Sequence, residues 1–339
     1  MWREEPMKTI VLELSNEDVA LSAYLLDASN EMPNARVRPA VLIFPGGAYR
    51  MCSDREAEPI AMAFLAEGYQ AFILRYSVSE NAAFPKPLHD AEEALETIRG
   101  RSGEWGIDPD KVAVCGFSAG GHLAAALGTM GRVRPNAMIL GYPCIMASMG
   151  GILPAPIPGV DEAVDASTPP AFIFHTYADS LVPVGNALAM ASAMEKAQRP
   201  FEMHIFQNGA HGLSLAKPLT SGGLKSMAEP DAAKWFGLCT AWLRNRFGDF
   251  AADRDVILDE MINEHSVDVQ LGVLWKNPAC KRLILDKLPV LGESPQLQEA
   301  KGVPLRTIVE FGGGLLSEEK LTELDASLRA IPIDSQMRR

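Results

Sequence analysis

The chain alternates short runs of consecutive apolar residues with longer stretches in which apolar residues recur every three or four positions. The short runs predict strands that are buried on both faces, and the longer stretches predict helices that cover those faces. Strands that alternate with helices in this way are typical of a parallel sheet with right-handed crossover connections. The strand-like runs of this series are 41–44, 70–76, 112–115, 137–142, 171–177 and 202–206.

Two earlier strand-like runs, 8–14 and 20–26, are separated by a short polar turn, which predicts an antiparallel pair. The predicted fold class is therefore α/β, with an eight-stranded, mostly parallel sheet that carries helices on both faces. The helical patterns that would cover the sheet are 55–67, 87–100, 119–130, 184–197 and 230–246.

The interval 143–170 breaks this alternation because it is rich in proline and glycine. Proline in a helix interior removes a hydrogen bond and clashes with the preceding turn, so no long helix is expected here. We predict a loop that crosses one end of the sheet, where ligand-contacting segments usually lie.

The pattern changes again toward the C-terminus. Residues 251–339 contain no convincing series of strands, and their short amphipathic patterns at 267–275, 280–288 and 317–331 predict helices. We therefore predict two domains, an α/β domain over residues 1–248 and a small all-helical domain over residues 251–339. The sequence does not define the role of the second domain.

Composition narrows the classes of partner. The 339 residues carry a formal net charge of −12 without acidic blocks, which disfavours a nucleic acid as partner. No run of 18 apolar residues predicts a membrane span, and the first residues lack the apolar run of a signal peptide. The five cysteines are widely spaced and odd in number, which disfavours a disulfide framework or a zinc site. We expect a cytoplasmic protein.

One motif carries the chemistry. The residues GFSAG (116–120) fit the pattern G-x-S-x-G, directly after a predicted strand and directly before a predicted helix. This context is that of a nucleophile elbow, a sharp turn that exposes the serine hydroxyl above the carboxyl edge of the sheet. Gly116 and Gly120 fit this turn because a side chain at either position would collide with the neighbouring strand and helix. We therefore predict Ser118 as the nucleophile.

A serine hydroxyl needs a base and an acid, which in this type of fold follow the serine in the order acid, then histidine. Asp179 lies just after the strand-like run 171–177, and His211 lies in a glycine-containing loop just after the run 202–206. Both loops would leave the same sheet edge as Ser118. We therefore predict Asp179 as the acid and His211 as the base.

The chain contains other acids and histidines besides Asp179 and His211. Asp161, Glu162 and Asp165, on the proline-rich interval, stay open as alternatives to Asp179. The remaining histidines have structural explanations, in helix packing, inside strands, at a helix start or outside the first domain: His89, His122, His175, His204 and His265.

A place for the negative oxygen of the reaction is also expected. The residues FPGGAY (44–49) follow the run 41–44, where the backbone can approach a substrate carbonyl closely, although a simple turn would account for its glycines equally well. The N–H of Gly47 or Ala48 would pair with the N–H of Ala119, at the start of the helix after the serine. Tyr49 is predicted to bind substrate.

With these residues, the chain resembles the bacterial acetyl esterases and acetylxylan esterases of the α/β-hydrolase superfamily, which are related to hormone-sensitive-lipase-like carboxylesterases. The resemblance implies that Ser118, Asp179 and His211 are the nucleophile, acid and base. Pro45 stands where the lipase-like relatives carry the histidine of an HGGG motif, which fits the acetyl esterase branch. The segments that carry the resemblance are 45–49 (PGGAY), 53–78, 116–125 (GFSAGGHLAA), 168–188 and 211–215 (HGLSL).

The resemblance implies a serine ester hydrolase that removes acetyl or other short acyl groups from sugars or xylo-oligosaccharides and needs neither a metal nor an organic cofactor. A general short-chain carboxylesterase and a feruloyl esterase are the alternatives within the class. The interval 143–168 is shorter than the family's usual cap, so the resemblance does not predict the shape of the pocket.

The tail is similar, through 274–289 and 317–328, to a helical appendage on some bacterial carbohydrate-degrading enzymes. This suggests a hypothesis outside the enzyme class, a carbohydrate-binding protein with a vestigial hydrolase domain. A homo-oligomer formed through the tail is compatible with catalysis.

Overall fold

The computed structural model describes residues 7–29, 32–251, 264–293, 300–312 and 316–333. The chain divides into two compact units, Met1–Phe250 and Ala251–Arg339.

The first unit is built on one eight-stranded sheet in the order β1-β2-β4-β3-β5-β6-β7-β8. Strand β2 runs antiparallel to both of its neighbours, β1 and β4, and the remaining pairs are parallel. The predicted class of a mostly parallel eight-stranded sheet is confirmed. The strands are Met7–Glu13 (β1), Ala20–Leu26 (β2), Arg38–Phe44 (β3), Gln70–Arg75 (β4), Ile107–Phe117 (β5), Ala137–Gly141 (β6), Ala171–Thr176 (β7) and Phe201–Phe206 (β8).

Helices cover both faces of this sheet, as consecutive apolar residues in its strands require. Alternate residues of β3 serve opposite faces, since Leu42 packs in the core beneath α2, α4 and α5, and Ile43 packs in the core beneath α1 and α6. The helices of the first unit are Glu58–Ala66 (α1), Lys86–Gly100 (α2), Ser102–Trp105 (α3), Ala119–Thr129 (α4), Gly185–Lys196 (α5) and Trp235–Phe247 (α6).

The interval between β6 and β7 contains two 3₁₀ turns, Ala147–Ile152 and Asp161–Ala163, in place of a long helix. This agrees with the breaking effect of its prolines. Because the central strands are parallel, the loops that leave their carboxyl ends lie at one edge of the sheet. Ligands bind at this edge in open α/β folds.

The second unit has its own apolar core, and its elements in the described residues are helices, 3₁₀ turns and one isolated bridge between Gln270 and Pro304. The Asn277 side chain caps α8 by accepting the N–H groups of Ala279 and Cys280, and Ser317 caps α11 by accepting the N–H of Lys320. These helices are Leu271–Lys276 (α7), Pro278–Lys287 (α8), Val290–Glu293 (α9), Leu305–Phe311 (α10) and Glu318–Arg329 (α11). In neither unit does a described helix combine the length and the apolar character that crossing a bilayer requires.

Candidate active site

The turn between β5 and α4 holds Ser118 in a conformation that few non-glycine residues adopt, with φ 53° and ψ −118°. Both backbone groups of Ser118 itself are bonded. The Ser118 N–H donates to the Gly141 carbonyl at 3.0 Å, and the Ser118 carbonyl accepts the N–H groups of His122 at 3.1 Å and Cys144 at 3.0 Å. These bonds hold the strained backbone of Ser118 in place. A strained conformation persists only where the surrounding structure fixes it in this way.

The two glycines of the motif are required by close backbone approach. A Cβ atom on Gly116 would lie 2.0 Å from the Gly120 carbonyl oxygen, and one on Gly120 would lie 2.0 Å from the Phe44 carbonyl oxygen. Because both obstructing atoms belong to the backbone, neither can move aside cheaply. The G-x-S-x-G spacing is therefore a packing requirement of the turn.

Ser118, His211 and Asp179 form a continuous chain of hydrogen bonds. The Nε2 atom of His211 lies 2.8 Å from the Ser118 Oγ, and its Nδ1 atom lies 2.7 Å from the Asp179 Oδ2. An ionised carboxylate only accepts, so Nδ1 carries the proton and Nε2 is free to accept the proton of the serine hydroxyl. The three side chains come from the ends of β5, β7 and β8.

Asp179 is buried and is held by more than the imidazole. Its Oδ1 accepts the N–H groups of Leu181 at 3.0 Å and Val182 at 2.9 Å, and its Oδ2 lies 3.4 Å from the Nε2 of His175. Burial raises the pKa of Asp179, but hydrogen bonds from His175 and His211 outweigh burial and hold that pKa below its usual range. The carboxylate form is therefore the stable one next to His211.

The other acids that the sequence left open lie elsewhere. Asp165 is exposed and bonds to Arg134 at 2.7 Å, while Asp161 and Glu162 belong to the 3₁₀ turn of the β6–β7 interval. Of these four acids, Asp179 is the one bonded to the Nδ1 of His211.

The loop after β3 has an unusual backbone. Gly47, Ala48 and Tyr49 all have positive φ, at 132°, 55° and 56°. Within the described residues, the N–H groups of Gly47, Ala48 and Ala119 have no hydrogen-bond acceptor in the protein. Free N–H groups from such a loop and from a helix N-terminus are the donors that stabilise an oxyanion.

Comparison with known proteins assigns the chain to a family. Family profiles match two parts of the chain, BD-FAE at residues 26–140 and the prolyl oligopeptidase family at residues 156–225. The solved structure of MGS-M1, an α/β-hydrolase enzyme from a Medee basin deep-sea metagenome library, is 48% identical with a TM-score of 0.68. That match covers 71% of this chain and 98% of MGS-M1. The chain belongs to the α/β-hydrolase family.

Two more relatives of this hydrolase have informative names. An acetyl ester-xyloside bifunctional hydrolase from Caldicellulosiruptor lactoaceticus is 33% identical, with a TM-score of 0.61, over 71% of this chain and 97% of that one. The acetylxylan esterase of Xylanibacter ruminicola is 31% identical over 60% of this chain and 46% of its own length. The hydrolase spans less than half the length of the curated relatives it matches. The expected resemblance to esterases is confirmed, and further relatives are named carboxylesterases.

Tyr49 of the hydrolase lies in the core, with 2% of its surface exposed. Its hydroxyl lies 2.8 Å from the Nδ1 of His122, whose Nε2 lies 3.0 Å from the Pro158 carbonyl. Because a carbonyl only accepts, the Nε2 of His122 donates and its Nδ1 accepts the Tyr49 hydroxyl proton. Burial lowers the pKa of His122 to about 4, so the ring is neutral at pH 7. The hydroxyl of Tyr49 is thus bonded inside the protein. The substrate-binding role of Tyr49 stays a prediction.

Two buried groups near Ser118 were not predictable from the sequence. Burial raises the pKa of Cys144, beside Ser118, to about 12, which keeps its thiol neutral. Glu56 accepts the N–H of Gly46 at 2.8 Å and the hydroxyl of Tyr142 at 2.6 Å. Among the residues that the structure describes, no group of three or more metal-ligating side chains is assembled, and the expectation of a metal-independent site stays a prediction.

Proposed function

We propose that this protein is a serine carboxylesterase that removes acetyl or other short acyl groups from sugars or xylo-oligosaccharides. The observation that carries the proposal is the unbroken chain from Ser118 through His211 to Asp179, with bonds of 2.8 and 2.7 Å. A buried carboxylate, an imidazole with its Nε2 free and a strained serine together make a nucleophile at neutral pH.

The proposed reaction has two halves. In the first, the Nε2 of His211 takes the proton of Ser118, whose Oγ attacks the ester carbonyl carbon. The resulting oxyanion accepts hydrogen bonds from the N–H of Ala119 and from the N–H of Gly47 or Ala48. Asp179 stabilises the imidazolium, which then gives its proton to the leaving alcohol as the ester bond breaks and the acyl-enzyme forms.

In the second half, His211 takes a proton from a water molecule, whose oxygen attacks the acyl carbon of the intermediate. The bond to the Ser118 Oγ breaks, the proton returns to that oxygen, and the carboxylic acid leaves. Both halves require a neutral imidazole, so kcat should fall where acid protonates His211 and should level off at higher pH.

The first test of this proposal is replacement of the nucleophile. Ser118→Ala should lower kcat about 10⁴-fold or more for p-nitrophenyl acetate, with an unchanged circular dichroism spectrum. A fluorophosphonate probe should label the wild type and not the variant. Ser192→Ala, at an exposed position in α5, is the matched control and should keep full activity and labelling. Full activity of Ser118→Ala would overturn the proposal.

The substrate class rests on the relatives named for acetylxylan and for acetyl ester-xyloside hydrolysis. A p-nitrophenyl series from acetate to octanoate should show a steep loss beyond acetate, and acetylated xylo-oligosaccharides should release acetate. A general short-chain carboxylesterase is the second candidate, favoured by the relatives with that name. It would accept butyrate as well as acetate, and a feruloyl esterase would release ferulate.

The non-enzymatic alternative, a carbohydrate-binding protein with a vestigial hydrolase domain, makes the opposite prediction for the probe. A folded wild type that a fluorophosphonate does not label at Ser118 would favour it. The short distances from His211 to its two partners count against it.

Location and assembly complete the proposal. The five cysteines are free, and the four in the core have thiols whose pKa burial raises, which suits a reducing compartment such as the cytoplasm. Cell fractionation tests the location. The proposed partners are small ester substrates, with neither nucleic acid nor membrane, and light scattering before and after truncation at residue 250 tests for a homo-oligomer formed through the tail.

A further inference from the structure

A carboxyl group is buried behind the oxyanion loop. Glu56 ends the 3₁₀ turn Asp54–Glu56 that precedes α1, and only 2% of its surface is exposed. Its Oε2 accepts the N–H of Gly46 at 2.8 Å, and its Oε1 accepts the hydroxyl of Tyr142 at 2.6 Å. A buried acid of this kind requires partners, because an unpaired one would be costly.

The hydrogen bonds indicate that Glu56 is ionised. The hydroxyl oxygen of Tyr142 already accepts the N–H of Ser214 at 2.8 Å, which leaves its own proton to be donated to the Glu56 Oε1. The other oxygen of Glu56 faces the N–H of Gly46. A proton on either oxygen would therefore point at a donor, whereas a carboxylate satisfies both neighbours.

Each of the two bonds leads to a different part of the catalytic machinery. Gly46 directly precedes Gly47 and Ala48, whose N–H groups have no acceptor among the described residues. A Cβ atom on Gly46 would lie 2.6 Å from the Glu56 Oε2, so carboxyl and loop are in direct contact. The N–H of Gly46 is thereby turned into the protein, and the next two are left for a ligand.

The other bond leads to the base. The ring of Tyr142 contacts the imidazole of His211 edge to face, with centroids 5.2 Å apart. The same tyrosine holds the His211 loop through the N–H of Ser214. Arg55, the neighbour of Glu56 in the chain, bonds to the carbonyl of Gly212 at 3.2 Å. Residues 55 and 56 together thus contact both the loop after β3 and the loop that carries the histidine.

We propose that Glu56 is a positioning residue of this active site, a buried carboxylate that fixes the oxyanion loop at Gly46, fixes the His211 loop through Tyr142, and stabilises the imidazolium electrostatically. The proposal deepens the proposed function and rests on it. Its action is through other groups, since Glu56 touches neither substrate nor the reacting atoms.

The charges around Glu56 allow this role. Burial raises the pKa of Glu56, while hydrogen bonds from Tyr142 and Gly46 and the positive charges of His211 and Arg55 act against that rise. The other titratable groups coupled to it are the hydroxyl of Tyr76 and the thiol of Cys115, and burial keeps both neutral by raising the pKa of each. Arg55 and the protonated form of His211 are therefore the cations that Glu56 faces.

The test compares Glu56→Gln with Glu58→Gln. Glu58 lies two residues away, at the start of α1, where its half-exposed carboxylate contacts Arg75 and Tyr24. Because a displaced oxyanion loop weakens transition-state binding, Glu56→Gln should lower kcat about 10- to 100-fold and change KM less than about threefold. Loss of a nearby negative charge destabilises the imidazolium, so the acid limb of the kcat profile should move to lower pH by about half a unit or more. Glu58→Gln should change neither.

A second variant separates charge from reach. Glu56→Asp keeps the carboxylate but shortens the side chain by one methylene, so it should lower kcat while the acid limb shifts less than in Glu56→Gln. Should Glu56→Gln fail to fold, the same measurements on Glu56→Asp decide, since an unchanged kcat there overturns the proposal. A folded Glu56→Gln that keeps kcat within threefold, or loses only thermal stability with an unmoved acid limb, also overturns it.

Failure of the proposed function has a different signature. If wild-type protein is not labelled at Ser118 by a fluorophosphonate, the esterase proposal fails and the role of Glu56 fails with it. If wild type is labelled and hydrolyses p-nitrophenyl acetate while Glu56→Gln behaves like Glu58→Gln, the role of Glu56 alone is refuted.

Discussion

Replacement of Asp179 by asparagine changes one atom of the proposed triad and almost nothing else. The Oδ1 position accepts two backbone N–H groups, from Leu181 and Val182. The amide oxygen of an asparagine must take that position, because its NH₂ group there would face two donors. The NH₂ group therefore occupies the Oδ2 position, 2.7 Å from the Nδ1 of His211.

This orientation of the amide changes the tautomer of the His211 imidazole. Facing an NH₂ donor, the Nδ1 atom must accept, so the ring proton moves to Nε2 and points at the Ser118 Oγ, 2.8 Å away. The base is then blocked by its own proton. For a triad disabled through the wrong tautomer, kcat falls about 10⁴-fold, which corresponds to about 5 kcal/mol of transition-state stabilisation. KM should change only a few-fold, because substrate contacts remain.

The assay is steady-state hydrolysis of p-nitrophenyl acetate at pH 7.5 to 8, as an ~10⁴-fold loss is still measurable there with enough enzyme. Asp165→Asn is the matched control, since that carboxylate is exposed and paired with Arg134, and it should leave kcat unchanged. Thermal unfolding of each variant checks the fold. The reasoning is refuted if folded Asp179→Asn keeps more than a tenth of the wild-type kcat, or if Asp165→Asn loses as much.

Three further predictions concern stability. Burial lowers the pKa of His122 to about 4, so as the pH falls the unfolded chain binds a proton at this histidine before the folded protein does. The free energy of unfolding of the wild type, relative to that of His122→Gln, should therefore fall by up to about 3 kcal/mol from pH 7 to pH 4. Urea unfolding at the two pH values measures this difference. Gly120→Ala places a Cβ 2.0 Å from the Phe44 carbonyl oxygen, so it should lower the free energy of unfolding by about 3 kcal/mol and remove most of the activity. The control Gly237→Ala, whose Cβ would have no atom within 4 Å, should raise the free energy of unfolding by up to about 1 kcal/mol. Equal shifts of the melting temperature in the two variants would contradict the steric argument. Asn277→Ala removes the cap of α8 and should destabilise that helix by about 1 kcal/mol, seen as faster amide exchange in α8 alone.

The strand order along the chain was predictable because each central strand is apolar on both faces. The predicted runs match β3, β4, β6, β7 and β8 to within a few residues. The exception is β5, which begins at Ile107 and not at residue 112. Residues 108–111 of this strand are polar and partly exposed, so they carry no run of apolar residues that would predict a strand. The helix Ser102–Trp105 was not predicted either, because it is too short to show a helical period.

The partners of Ser118 were predictable because loops after parallel strands meet at one edge. Glu56 was not predictable, since Asp54, Glu56 and Glu58 look alike in the sequence and only the middle one is buried. Its two bonds reach residues 10 and 86 positions away, and no local pattern encodes contacts of that kind.

The three side chains of the proposed triad are far apart in the order of synthesis. Asp179 precedes His211 by 32 residues and Ser118 precedes it by 93. At about 5–20 residues per second, a ribosome holding a nascent chain has released the serine several seconds before the histidine. During that time the growing polypeptide contains its proposed nucleophile without the proposed base, so the proposed hydrolysis would begin only after translation has passed the last strand of the sheet.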